Sequence, residues 1–221
     1  MTNKDALLKL LKGCTREERM EIFKVLRKEI PIHGLEKELN AEAEVILEAM
    51  ARSSDLTMRG IRGIIAEAAF LHSVLQNLEG WKIGNIVGNT AFDFLIQDQI
   101  GPVKIQVKMQ RKEKGVPLLR KGKFVVETQK TRGGKDSAGE DTRPYRFGEF
   151  DLLAVSLQPA TLNWNSFAYT VGSWLLARHN SQHLLNVLQP VARIPNDDWT
   201  DDLLVCIEWL RSGKQKKIAP F

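Results

Sequence analysis

With 221 residues and 43% hydrophobic side chains, the chain can bury one well-filled domain with an elaboration, which excludes disorder as its default. The net charge of +5, from 32 Lys and Arg against 27 Asp and Glu, is modest, and the lack of any apolar run of bilayer length excludes a membrane-spanning helix. Cys14 and Cys206 form no metal or disulfide spacing, so reduced thiols, a cytoplasmic setting and no secretory leader are expected.

Leu7, Leu8, Leu10 and Leu11 make an apolar helix face that Gly13 ends. Thr15 and Glu18 form a capping box for a second helix, with Met20, Ile22, Phe23 and Leu26 expected inward and Pro31 as its stop. A third helix is expected from Leu35 to Ala51. Ser53-Ser54-Asp55 then marks a break and a new cap, so residues 1–55 read as an N-terminal helical region and 56–221 as the core.

The periodicity from Leu56 to Leu78 predicts a longer helix. Its main apolar stripe is Ile61, Ile64, Ile65, Ala68, Leu71 and Leu75, and its polar side carries Arg59, Arg62, Ser73 and Gln76. Glu67 belongs to neither. Its row, Gly60, Gly63, Phe70 and Val74, is small or apolar, so this carboxylate is expected to face protein and to need a partner, whether a metal, a lysine or a neighbouring arginine.

Beyond this helix the period falls to two. Strands are expected at Trp81–Val87, Ala91–Gln97, Val103–Gln110, Phe124–Gln129 and Asp151–Leu157. In "DFLIQDQIGPVKIQVK", pairing Gln97 with Pro102 across the turn Asp98-Gln99-Ile100-Gly101 sets Asp93 opposite Gln106. Lys108 follows on the same face. A carboxylate, an amide and an ammonium thus converge; a cross-strand ion pair on an exposed face is the plainer alternative.

Basic residues crowd the segment from Lys104 to Lys135, opposed only by Glu113 and Glu127. Such clustering fits a polyanion, or a solvated strand edge. Residues 130–148 read as a long polar loop in which Gln129, Lys130, Arg132, Lys135, Arg143 and Arg146 are of the types that contact bases and phosphates. "RGGKDSAG" lacks the phosphate-loop lysine-serine pattern, so no nucleotide cofactor is expected. Phe167–Leu176 leans to strand, and Trp199–Arg211 reads as a C-terminal helix. His179 and His183 would share a helix face without a third ligand, and Trp164, Trp174, Trp199 and Trp209 are expected to pack the C-terminal core.

The order helix Glu67, strand Asp93, then Gln106-Val107-Lys108 resembles the PD-(D/E)xK nuclease superfamily, the fold of most type II restriction endonucleases, over residues 56–157. No proline precedes Asp93, and Gln106 stands at the second acidic position, as in the QxK variant of some branches. The resemblance implies an α/β fold, a restriction-endonuclease-like core of a mixed β-sheet flanked by helices, with the N-terminal helical region outside it. It implies a Mg²⁺-dependent endonuclease on double-stranded DNA, working as a homodimer in a restriction system. Asp93, Gln106, the Val107 carbonyl and Glu67 would be the metal's ligands, and Lys108 would attend the attacking water. A repair or junction-resolving nuclease of the same fold, a non-catalytic DNA-binding protein, and a partner-binding role for the N-terminal helices are the alternatives.

Overall fold

The computed structural model describes residues 2–88, 90–130, 133–135 and 142–221. Helices are α1 (Asn3–Gly13), α2 (Arg16–Glu29), α3 (Leu35–Leu39), α4 (Ala43–Ala51), α5 (Asp55–Ser73), α6 (Gln158–Thr161) and α7 (Leu203–Arg211). Strands are β1 (Lys82–Ile83), β2 (Phe94–Gln97), β3 (Pro102–Met109), β4 (Lys112–Glu113), β5 (Val116–Pro117), β6 (Leu119–Arg120), β7 (Lys123–Glu127), β8 (Leu152–Ser156), β9 (Phe167–Val171), β10 (Ala177–Arg178), β11 (Ser181–Leu185) and β12 (Leu188–Val191). The chain divides into two compact units, Met1–Met58 and Arg59–Phe221. Among the described residues no helix is long and apolar enough to cross a membrane.

In the first unit, capping boxes at Thr2/Asp5 and Thr15/Glu18 open α1 and α2. The helix expected from Leu35 to Ala51 is two helices. Asn40 adopts a left-handed backbone at φ 48°, which ends α3. Glu36 organises the gap: its carboxylate accepts from the backbone N–H groups of Ile32, His33 and Ala43 and pairs with Arg27. The Arg27 guanidinium holds the Glu36 carboxyl down at about 2. The inward placement expected for Met20, Phe23 and Leu26 does not hold: they are 50%, 44% and 47% exposed, and Ile22 alone of that set is half-buried.

The second unit is built on a mixed five-stranded sheet in the order β1-β2-β3-β8-β9, flanked by helices. Only the β3–β8 pair is parallel. Its register follows from the turn between β2 and β3. Asp98 accepts the backbone N–H groups of Ile100 and Gly101 and is gripped by both arms of Arg211 in α7, at 2.8 and 2.6 Å. That grip lowers the Asp98 carboxyl to about 2. Gln97 therefore faces Pro102 and Phe94 faces Ile105.

The core is met by the row of α5 carrying Glu67 and by the C-terminal end of the expected stripe, where Leu71 packs on the core and Leu75, just beyond α5, is buried; the middle of the stripe is not. Ala66 and Phe70 are fully buried, whereas Ile64 and Ile65 remain 64% and 38% exposed. Phe70 meets Phe94, Phe167 and Tyr169 at centroid distances of 5.5, 5.2 and 6.2 Å. The aromatic cluster around Phe70 buries a large area and fixes this side of the helix against the sheet. The run Trp81–Val87 shrinks to β1, since only Lys82 and Ile83 find a partner strand. Trp174 and Trp199 are buried, and Trp164 and Trp209 pack on the same core.

Phe70→Ala should destabilise the protein by about 3–5 kcal/mol in urea unfolding. Ile64→Ala should change it by less than about 0.5 kcal/mol; equal losses would refute this assignment of the packed face.

Candidate active site

Asp93 immediately precedes β2, and its backbone N–H donates to Ile105 O at 3.0 Å. Its Oδ2 accepts the Val107 N–H at 2.8 Å and also a bond from Gln106 Nε2. The same Nε2 donates to Val107 O at 3.1 Å. Asp93 Oδ2 and the Val107 carbonyl therefore converge on one point, which the amide nitrogen of Gln106 occupies. Gln106 is 2% exposed, and its Oε1 accepts no hydrogen bond among the described residues.

Lys108 stands two residues further along β3, on the face of Gln106. Its Nζ lies over the Tyr145 ring, 5.4 Å from the centroid, and it feels the charges of Asp93, Glu67 and Glu127. Glu67 reaches this place from α5, half-buried one turn before Phe70. Among the described residues Asp93, Glu67 and Lys108 form no close ion pair, and Glu67 is paired with neither Arg59 nor Arg62.

Without close counter-charges, burial dominates the ionisation of all three. It raises Glu67 to about 7, with the Asp93 charge adding and Lys108 opposing. It raises Asp93, against the Val107 N–H and Lys108. It lowers Lys108, against Asp93, Glu67 and Glu127. The site thus holds two carboxylates whose negative charge is under-compensated.

Among the described residues no three His, Cys, Asp or Glu side chains are placed to hold a metal ion. An all-carboxylate cage is therefore ruled out for the described residues. The oxygen donors that do gather, Asp93 Oδ2 and Val107 O, suit a hard cation such as Mg²⁺ that keeps several waters. Gln106 can join them only with its amide turned, so that Oε1 replaces Nε2. Glu67 stands in electrostatic range of Asp93 as an outer carboxylate.

The residues expected on DNA are dispersed over the segment after β7. Gln129 Nε2 donates to Glu127, and Lys130 pairs with Glu149 at 2.7 Å while lying 5.4 Å from the Tyr145 centroid. Lys135 and Arg143 are exposed, and Arg146 is half-buried. Arg132 lies outside the described residues. Two hydrogen bonds draw the described ends of the loop together, Lys130 N to Arg143 O at 2.8 Å and Thr142 N to Gly134 O at 3.0 Å. His183 belongs to β11 and His179 precedes it, so the helical pairing of these histidines does not exist.

Sequence reasoning passed over Tyr145. Its ring lies beneath both the Lys108 and Lys130 ammonium groups and meets Phe150 edge-on at 5.4 Å. The available signal was a tyrosine set between two arginines in "RPYRFG". Gln110 was also missed: it is fully buried two residues beyond Lys108, with neither amide atom hydrogen-bonded.

No family model matches the sequence, and no curated protein matches it. Among solved structures the chain is similar to a bacterial homing endonuclease, I-Ssp6803I, with 18% sequence identity and a TM-score of 0.41. The match covers 70% of this chain and 94% of that one.

The raised Glu67 pKa predicts a pH effect in chelator. The folded state holds the proton more tightly than the unfolded one, so the contribution is full below about 4.5 and declines as pH rises to about 7. Screening at a half-buried group leaves about 1–2 kcal/mol of this effect. Wild type should lose that much relative to Glu67→Gln between about pH 5 and about pH 8 in urea unfolding. Parallel pH profiles for the two proteins would refute it.

Proposed function

We propose that this protein is a Mg²⁺-dependent endonuclease that hydrolyses phosphodiester bonds of double-stranded DNA as a sequence-specific type II restriction enzyme. The observation that carries the reading is the convergence of Asp93 Oδ2 and Val107 O on one point beside Lys108, with under-compensated carboxylates around it. Such a place favours a divalent cation and the phosphate it brings. When bound, Mg²⁺ supplies relief of the charge that builds on the phosphoryl oxygens and at the leaving oxygen.

Asp93, Val107 O, the turned Gln106 amide and, as an outer ligand, Glu67 would hold it. Lys108 would orient the attacking water and take up its proton. Burial disfavours the ammonium form and so brings the free amine within reach. Tyr145 keeps the Lys108 side chain in place through its ring face.

Residues 56–221 form the catalytic core in this reading, and residues 1–55 lie outside it. Lys130, Arg132, Lys135, Arg143 and Arg146 supply phosphate and base contacts, with Gln129 beside them. Two antiparallel strands require two such sites, which a twofold homodimer on a palindromic sequence provides.

The test is single-turnover cleavage of plasmid DNA against Mg²⁺ concentration, with DNA binding measured in Ca²⁺. Discrete fragments are expected; a smear would place the protein among nonspecific nucleases, and retained binding without cutting would make it a binding protein. Asp93→Ala and Lys108→Ala should each cut at least about a hundredfold more slowly. Asp93→Ala should lose metal binding as well, while Lys108→Ala keeps it. Gln106→Glu should bind Mg²⁺ more tightly and retain activity, because a carboxylate replaces a neutral donor. Parent rates in both Asp93→Ala and Lys108→Ala would overturn the site.

A further inference from the structure

Two turns of this chain share an unusual residue pair. The β4–β5 hairpin closes with Glu113 facing Val116 and the loop Lys114-Gly115. The β6–β7 hairpin closes with Arg120 facing Lys123 and the loop Lys121-Gly122. In each, both loop residues have positive φ: 48° and 84° in the first, 45° and 77° in the second. Two-residue loops of this kind are type I′ turns, and their first position favours Asn, Asp or Gly. Lysine there is strained, because its Cβ meets the following backbone. The two other non-glycine residues with positive φ among the described residues, Asn40 at 48° and Leu162 at 56°, each end a helix; only the lysines stand at hairpin tips.

Neither lysine side chain is buried. Lys114 is exposed and makes no hydrogen bond or ion pair among the described residues; Glu113 beside it is its nearest acidic neighbour in sequence. Lys121 is exposed and donates one bond, to Phe221 O at 3.3 Å. Lys123, by contrast, is committed to Ala219 O and Pro220 O at 2.8 and 2.9 Å.

The topology sends both tips the same way. Gln110 and Val126 form an antiparallel bridge, and Arg111 N donates to Val125 O at 2.8 Å. Advancing from Gln110 toward Lys114 therefore corresponds to moving back along β7 toward Lys121, so both turns lie beyond the same end of this ladder. Lys108 precedes Gln110 at the other end. At about 3.3 Å per residue, both tips fall within roughly 34 Å of Lys108, one turn of duplex DNA.

We propose that Lys114 and Lys121 are paired backbone clamps that hold duplex phosphates within one turn of the scissile bond. This rests on the DNA reading above and names a surface outside the residues after β7. A tight two-residue loop fixes the backbone point from which each flexible lysine stem reaches a phosphate. Such contacts position the duplex and read no sequence.

Asparagine suits the turn better than lysine yet carries no charge, so Lys114→Asn and Lys121→Asn separate the two roles. Binding to a labelled duplex of roughly 30 base pairs, about three turns, is measured in Ca²⁺ across a salt series. Each Asn substitution should make the slope of log affinity against log salt shallower by about 0.9. The melting temperature should hold or rise by about one or two degrees, and Lys→Arg at either tip should keep the parent slope. A steep parent slope left unchanged in both Asn variants overturns the clamps alone. A fall in melting temperature that tracks the loss of binding makes the lysines structural and overturns them too. A wild-type protein that does not bind the duplex overturns the DNA reading and the clamps together.

Discussion

One oxygen organises the centre of the second unit. Asp93 Oδ2 accepts from a backbone amide and a side-chain amide of the adjoining strand at once, the Val107 N–H and Gln106 Nε2. A half-buried carboxylate is costly to leave unmatched, and these two donors meet it without neutralising it. Asp93 consequently stays under-compensated, and its charge reaches Glu67 on α5 and Lys108 on β3. The candidate site is a set of groups that burial has made uncomfortable, held where a cation could relieve them.

The scaffold supplies the rigidity this requires. Arg211 clamps Asp98, which sets the turn, which sets the β2–β3 register, which puts Asp93 beside Gln106 and Val107. On the other side of β3, Asp151 accepts the Lys104 N–H at 2.8 Å, and its own N–H donates to Lys104 O at 2.9 Å, starting the parallel β8 in register. Phe70 closes α5 on the sheet and carries Glu67 in with it. Each anchor is a polar or aromatic contact distant in sequence from the residue it places.

Gln106 gives the site a particular character. An amide can point nitrogen or oxygen at the same spot, whereas a carboxylate offers oxygen only. Here the nitrogen links two oxygens that would otherwise repel. In the proposed enzyme, turning the amide would exchange that internal link for a metal ligand. The lysine-tipped hairpins extend the same logic outward, since they place charge where the backbone alone would prefer another residue.

Local pattern determined much of this protein. The Gln97–Pro102 pairing was legible because alternation and turn length leave one register that buries Ile96, Val103 and Ile105. The side chains of Gln106 and Lys108 then share a face by the pleat alone. The caps at Thr15 and Glu18 were legible for the same local reason. Tertiary structure decided what pattern could not weigh. It buried Phe70 of α5 and left Ile64 and Ile65 exposed, because contact with Phe94 and Phe167 depends on strands far along the chain. It broke the helix expected from Leu35 at Asn40, and it brought Tyr145 beneath Lys108 across 37 positions of sequence. Hydrophobic periodicity reports that a face is apolar; which apolar face is buried depends on shape and partners that only the folded chain assembles.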